Sequence, residues 1–300
     1  MPDTLANDVP ELREVPAQCI DQLTSHPTGR EIRLVDLNRL YDVMDLTMLK
    51  SVRIGALSYD ASQAEHVLQR YCKHIFVLND SDDYPYSFRG SGTALRFGDQ
   101  HFVFCCGHQF PDLEPDVIAI RPVVAQDKTI TASSLLRPQA TEENAGDDLL
   151  DMRAFEFVPA NYAIPNLGSD FLSLDETSLW PAGTRKPDRF LVFGYPYGRQ
   201  DVDFDERHVT ARVTSVNGTY EGRSASPGVH RLLMERVEAF DPDGMSGGPV
   251  FYVGGTGGAF FIGFAGVVIR GSARSEILHF VDASVIRNFA ATVPARPLSR

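Results

Sequence analysis

Four cysteines in 300 residues leave little for a disulfide framework. Two of them, Cys105 and Cys106, are adjacent, and neighbouring cysteines rarely bridge each other. That usage fits a reduced, cytoplasmic setting. The chain also lacks any run of Lys and Arg, and 28 basic against 40 acidic residues give a net charge of −12. This argues against nucleic acid or an anionic membrane surface as main partner, and mildly favours basic peptides among peptide substrates. No apolar stretch reaches the roughly 18 residues that a membrane span needs. Met1-Pro2-Asp3-Thr4 shows no basic start followed by an apolar run, so no signal peptide is expected.

With 43% hydrophobic residues the chain can bury a sizeable core. Residues 1–33 are polar and proline-dotted. After Asp36, a plausible N-cap, Leu37, Leu40, Tyr41, Met44 and Met48 recur at helical spacing, and Ala64, Val67, Leu68, Tyr71 and Cys72 repeat the pattern. Helices are expected over 36–50 and 60–73, with Gly55 between them. This N-terminal extension is read either as packing on the body or as recruiting a regulatory partner. From Ile75 short apolar or alternating runs are punctuated by Gly, Pro, Asn and Asp, the pattern of an all-β protein. Strands are expected at 74–79, 89–97, 101–106, 117–123, 151–158, 190–194, 208–216, 231–239, 248–253, 259–269 and 278–281. A closing helix is expected around Val285, Ile286, Phe289 and Ala290. Gly254–Gly258 reads as a hairpin turn. As a phosphate loop it is weak, because no helix follows.

Gly244-Met245-Ser246-Gly247-Gly248-Pro249 carries the chemistry. A serine hydroxyl needs a base to take its proton and donors to hold the oxyanion that forms. Gly244 permits a turn that aims the amides of Gly244 and Ser246 at one spot. Upstream, Phe102-Val103-Phe104-Cys105-Cys106-Gly107-His108 reads as a strand ending in a Gly-His turn, and Asp151 precedes another apolar strand. The gaps are 43 residues from His108 to Asp151 and 95 from Asp151 to Ser246. Together these stretches resemble the trypsin/chymotrypsin-like serine proteases, whose triad runs His, Asp, Ser. Phe88–Leu95 resembles the family's Gly-Ser-Gly opening strand, with a turn at Gly98-Asp99-Gln100. Gly194-Tyr195-Pro196-Tyr197-Gly198 is similar to a segment of its bacterial heat-stress branch. The resemblance spans roughly residues 75–300.

The resemblance implies two six-stranded antiparallel β-barrels, about 74–175 and 176–300, behind the 1–73 extension and ending in a C-terminal helix. It implies a serine endopeptidase acting on protein or peptide through His108, Asp151 and Ser246, without cofactor. A latent or inactive module of the same fold, binding peptides or partners in signalling, is the alternative. It also implies a specificity pocket with its base at Phe240, six residues before the serine, and a wall roughly from Phe264 to Val268, with Phe264, Ala265 and Gly266 as its named residues. Phe240 favours apolar or small side chains there; Asp241 or Asp243 would instead favour basic ones.

Asp148 rivals Asp151, since Leu149-Leu150 follows it. His208 and His230 are further candidates to line the cleft. Gly244–Gly248 also fits the elbow of α/β-hydrolases, with Glu276 and His279 as the later partners, but that elbow leads into a helix and here Gly-Gly-Pro leads into Val250-Phe251-Tyr252-Val253. A metal on Cys105, Cys106 and His108 is not expected, because adjacent residues on a strand splay to opposite faces.

Overall fold

Alternation along single strands sets the architecture. In Gln100–Cys106, Phe102, Phe104 and Cys106 turn to one side and Val103 and Cys105 to the other, and every one of these is buried. A strand with both faces covered must lie between two packed layers. The computed structural model describes residues 51–81, 84–110, 113–139, 147–182, 189–203, 208–235, 241–256 and 259–294. The helix expected over 36–50 and the pocket base Phe240 lie outside these residues.

The chain order is β1 (Ser51–Ile54), β2 (Leu57–Asp60), α1 (Ala64–Gln69), β3 (Cys72–Leu78), β4 (Tyr86–Phe97), β5 (Gln100–Cys106), β6 (Ile118–Ile120), β7 (Ile130–Thr131) and β8 (Ser134–Leu136). Then come α2 (Asp147–Leu150), β9 (Met152–Glu156), β10 (Leu172–Ser173), β11 (Phe190–Gly194), β12 (Gln200–Asp203) and β13 (His208–Ala211). The last elements are β14 (Thr214–Arg223), β15 (Val229–Met234), β16 (Pro249–Thr256), β17 (Ala259–Ser272), β18 (Ile277–Asp282) and α3 (Ala283–Ala291). Among the described residues no helix is long and apolar enough to cross a membrane.

Two sheets dominate. The first runs β7-β6-β3-β4-β5-β9-β8, with β10 parallel to β4, and curls without closing among the described residues. The second runs β16-β11-β14-β15-β18-β17, and β17 pairs back onto β16 to close a six-stranded antiparallel barrel. Three apolar clusters follow from this. One fills the first sheet's hollow, with Ile75, Val103, Cys105 and Phe155. One fills the closed barrel, with Phe190, Val250, Ala265 and Phe280. The third lies between the two, with Phe104, Cys106, Phe193, Phe251 and Phe264. Each fully buried phenylalanine contributes about 1.5–3 kcal/mol. The closing helix α3 adds Ala283, Ile286 and Ala290 to the middle cluster, and Asp282 caps it by accepting the Ser284 amide at 2.6 Å.

The extension differs from its sequence reading. The helix expected over 60–73 is confined to Ala64–Gln69, after a short 3-10 turn at Ala61–Gln63, because Cys72 already begins β3. Before it stands an unexpected hairpin. Val52 and Ile54 are buried while Ser51 and Arg53 face outward, and β1 runs parallel to β17 with Arg53 opposite Phe261 and Ile54 opposite Ile262. Four-residue strands with two apolar side chains each carry too little periodicity to stand out in the sequence.

Candidate active site

The strand β5 delivers His108. It ends at Cys106 and gives way to a single tight turn, Gly107–Gln109. A Cβ on Gly107 would sit 2.7 Å from the Arg153 guanidinium and 3.0 Å from Asp151 Oδ1, so a larger residue would push these two side chains aside. The neighbour is set by register: Cys106 pairs with Met152 of β9, which puts Asp151 beside the turn. The Gly107 amide donates to the Asp151 carbonyl at 2.5 Å. The His108 amide donates to Asp151 Oδ1 at 2.9 Å, and Nδ1 meets Asp151 Oδ2 at 2.6 Å. One carboxylate thus holds both the backbone and the ring. It also raises the His108 pKa above the ordinary imidazole value; burial opposes that shift, and the charges of Asp151 and Asp243 add to it.

The Gly244–Gly248 loop faces this turn from the other barrel. Gly244 has φ +93° and Gly247 φ +87°, both in the left-handed region. A Cβ on Gly247 would lie 2.1 Å from the Ser91 carbonyl, and one on Gly248 2.0 Å from the Phe193 carbonyl. Small polar side chains of the first sheet fasten the loop. Ser91 Oγ donates to the Gly244 carbonyl at 2.7 Å and accepts the Tyr195 amide at 2.8 Å. Thr93 Oγ1 donates to the Gly247 carbonyl at 2.7 Å. Gln109, next to His108, donates through Nε2 to the carbonyls of Ser246 at 2.9 Å and Arg89 at 2.7 Å, and its Oε1 accepts the Cys106 amide at 2.8 Å. Among the described residues, the amides of Gly244 and Ser246 have no hydrogen-bond acceptor.

The Ser246 hydroxyl itself donates to the Ile269 carbonyl at 3.2 Å. The structure therefore joins His108 to Asp151 directly and holds Ser246 on β17. Val268 secures the rest of the turn: its carbonyl accepts the Gly247 amide at 2.7 Å and its amide donates to Gly248 at 2.9 Å. Motif reading missed Gln109, Ser91, Thr93 and Ile269. A signal existed for two of them, since Ser91 and Thr93 are alternate positions of one strand and share a face.

Other expected residues fall elsewhere. Asp148 is turned from His108 toward the second barrel, accepting from Ser226 Oγ at 2.8 Å and pairing with Arg270 at 2.9 Å. Phe264 and Ala265 are fully buried inside, in the middle and barrel clusters respectively, and a Cβ on Gly266 would lie 1.8 Å from the Val281 carbonyl. The residues of β17 that hydrogen-bond the Ser246 loop are Val268, at the end of the expected wall, and Ile269 just beyond it. His230 is buried against Tyr220 and Asp282, at 2.9 Å and 3.2 Å, instead of facing a cleft. The side chain of His208 lies outside the described ones. Ser246 leads into β16 and not into a helix, which removes the α/β-hydrolase alternative with Glu276 and His279. Cys105 and Cys106 do splay, one into the first sheet's hollow and one into the middle layer.

No protein-family model matches the chain, and no curated protein matches it in sequence. Among solved structures, human heparin binding protein superposes with a TM-score of 0.50 at 15% identity, covering 77% of this chain and 95% of its own. The fold is trypsin-like. The protease Anisep from Arthrobacter nicotinovorans matches with a TM-score of 0.44 at 17% identity, over 74% of this chain and 96% of its own. The VesB protease of Vibrio cholerae matches with 0.46 at 15% identity, over 74% of this chain and 63% of its own. His108 and Asp151 flank the paired strands β5 and β9 of the first sheet, and Ser246 lies in the loop that leads into β16 of the closed barrel.

Proposed function

We propose that the chain is a serine endopeptidase. Ser246 acts as nucleophile, His108 as general base and then acid, and Asp151 as the group that orients the imidazole. The observation that carries this is the bidentate grip of Asp151 on His108. By taking Nδ1 at 2.6 Å it leaves Nε2 as the proton-accepting nitrogen, and its charge steadies the imidazolium formed in the transition state. The Ser246 hydroxyl would leave the Ile269 carbonyl and give its proton to Nε2 as it attacks the scissile carbonyl. The amides of Gly244 and Ser246, free of other acceptors among the described residues, would then hold the oxyanion. His108 would protonate the leaving amine, and water would release the acyl group from Ser246. Peptide would lie along β17 beyond Ile269 by strand addition. The buried, unpaired thiols of Cys72, Cys105 and Cys106 support the reading of a reducing compartment.

A fluorophosphonate probe tests the assignment. Covalent labelling of Ser246, located by peptide mass, is the expected result, and Ser246→Ala is expected to lose both label and turnover. His108→Ala should lower kcat by about 10⁶, as in related serine proteases. An unlabelled protein that still binds peptide would instead be a module that has kept the fold and lost the reaction.

A further inference from the structure

Cys106 is the feature that proteolysis leaves unused. It closes β5 fully buried; its Sγ donates weakly to the carbonyls of Val268 at 3.4 Å and Ile269 at 3.7 Å and accepts the Gln109 amide. Cys105 and Cys106 point to opposite faces and cannot share an ion, yet the Cys106 thiol alone is available to one. That thiol, a ring nitrogen of His108 and a carboxylate oxygen of Asp151 all lie within 4.8 Å of one another. Zinc bonds of about 2.3 Å to sulfur and 2.0–2.2 Å to nitrogen and oxygen put tetrahedral ligands about 3.3–3.6 Å apart. Adjustments on the order of an ångström would bring the three donors to that spacing. His108 and Asp151 are partly open to solvent, 52% and 29% exposed in their side chains, so an ion has a way in. Thiolate, imidazole and carboxylate together suit zinc, whereas magnesium and calcium take oxygen donors. Three protein donors leave a fourth position for water.

We propose that Cys106, His108 and Asp151 form a binding site for Zn²⁺ that switches the enzyme off. The Cys106 S–H bond breaks, its proton leaves to solvent and a Zn–S bond forms, with no change of oxidation state. An imidazole held by the ion is withdrawn from the orientation that accepts the Ser246 proton, so metal and turnover exclude each other. The inhibitory role rests on the protease reading; the metal site does not.

Full-length Ser246→Ala protein, reduced and metal-free, is titrated with Zn²⁺ by calorimetry and with Co²⁺ by absorption. The expected result is one ion per chain, a thiolate-to-cobalt charge-transfer band, and no competition from excess Mg²⁺. Cys106→Ala on that background should abolish the band and weaken Zn²⁺ binding at least about tenfold. Should that buried replacement misfold, His108→Ala, at an exposed residue, should produce the same loss of affinity. Binding undiminished in the variants, or absent from the parent, overturns the site. Wild-type protein supplies the separate arm. Peptide cleavage that continues at Zn²⁺ concentrations saturating the site overturns the inhibitory role. Zinc binding in a protein that neither cleaves nor labels leaves the site standing and removes the protease reading.

Discussion

Asp243 stands at the mouth of the Gly244–Gly248 loop, exposed, and its charge reaches His108. The Asp151 hydrogen bond is the main cause that favours the imidazolium and the Asp243 charge adds to it against the opposing effect of burial, so the base becomes neutral only at a pH above the ordinary value of 6.5. kcat/KM is therefore expected to rise with pH through a midpoint above that value. Asp243→Asn should move the midpoint down, read from the pH profile of a peptide substrate; an unchanged midpoint would show that Asp151 alone sets it. The pairing of His108 with Asp151 was legible because each sits in a short local pattern. Gln109 was visible in the sequence but mute. Its bond to the Cys106 amide is local, but those to Arg89 and Ser91 of β4 and to Ser246 reach segments remote along the chain, and no spacing rule reports such contacts.

Short elements were the least legible. Long apolar strands such as β5, β11 and β17 announced themselves, while β1 and β2 did not, and expected strand 208–216 proved to be parts of two strands, β13 and β14. The β1–β2 hairpin nevertheless covers part of the β17 edge with buried Val52 and Ile54. Ile54→Ala leaves a cavity in the middle cluster and should lower unfolding free energy by about 2–5 kcal/mol in urea melts. Leu57→Ala, at a side chain 61% exposed, should stay within about 0.5 kcal/mol. Equal losses at both positions would mean that the hairpin docks by its other face.

At the scale of the whole molecule, two carboxylates three residues apart divide their work. Asp151 stays within its own sheet and holds His108, whereas Asp148 spans to Ser226 and Arg270 of the closed barrel. The Asp148–Arg270 pair is half open to water and so stabilises little, under about 1 kcal/mol. Asp148→Asn should leave peptidase turnover within a few-fold and make it less sensitive to salt. Asp151→Asn should lower kcat by about 10⁴. The reverse order in steady-state assays would exchange their roles. The two-barrel plan was legible through its turn residues and apolar strands. The cross-links between barrels were not, because they depend on how two separately patterned sheets meet.

The carbonyl of Ile269 has a wider consequence. An incoming polypeptide that adds itself beside β17 brings N–H groups that compete for this oxygen, and winning it sets the serine loose. Reagents too short to carry such an amide should still react, but more slowly. On the proposed protease reading, lengthening a substrate on its N-terminal side should then raise the speed of acylation and not merely its grip, so that small chromogenic esters would understate the rate on a polypeptide.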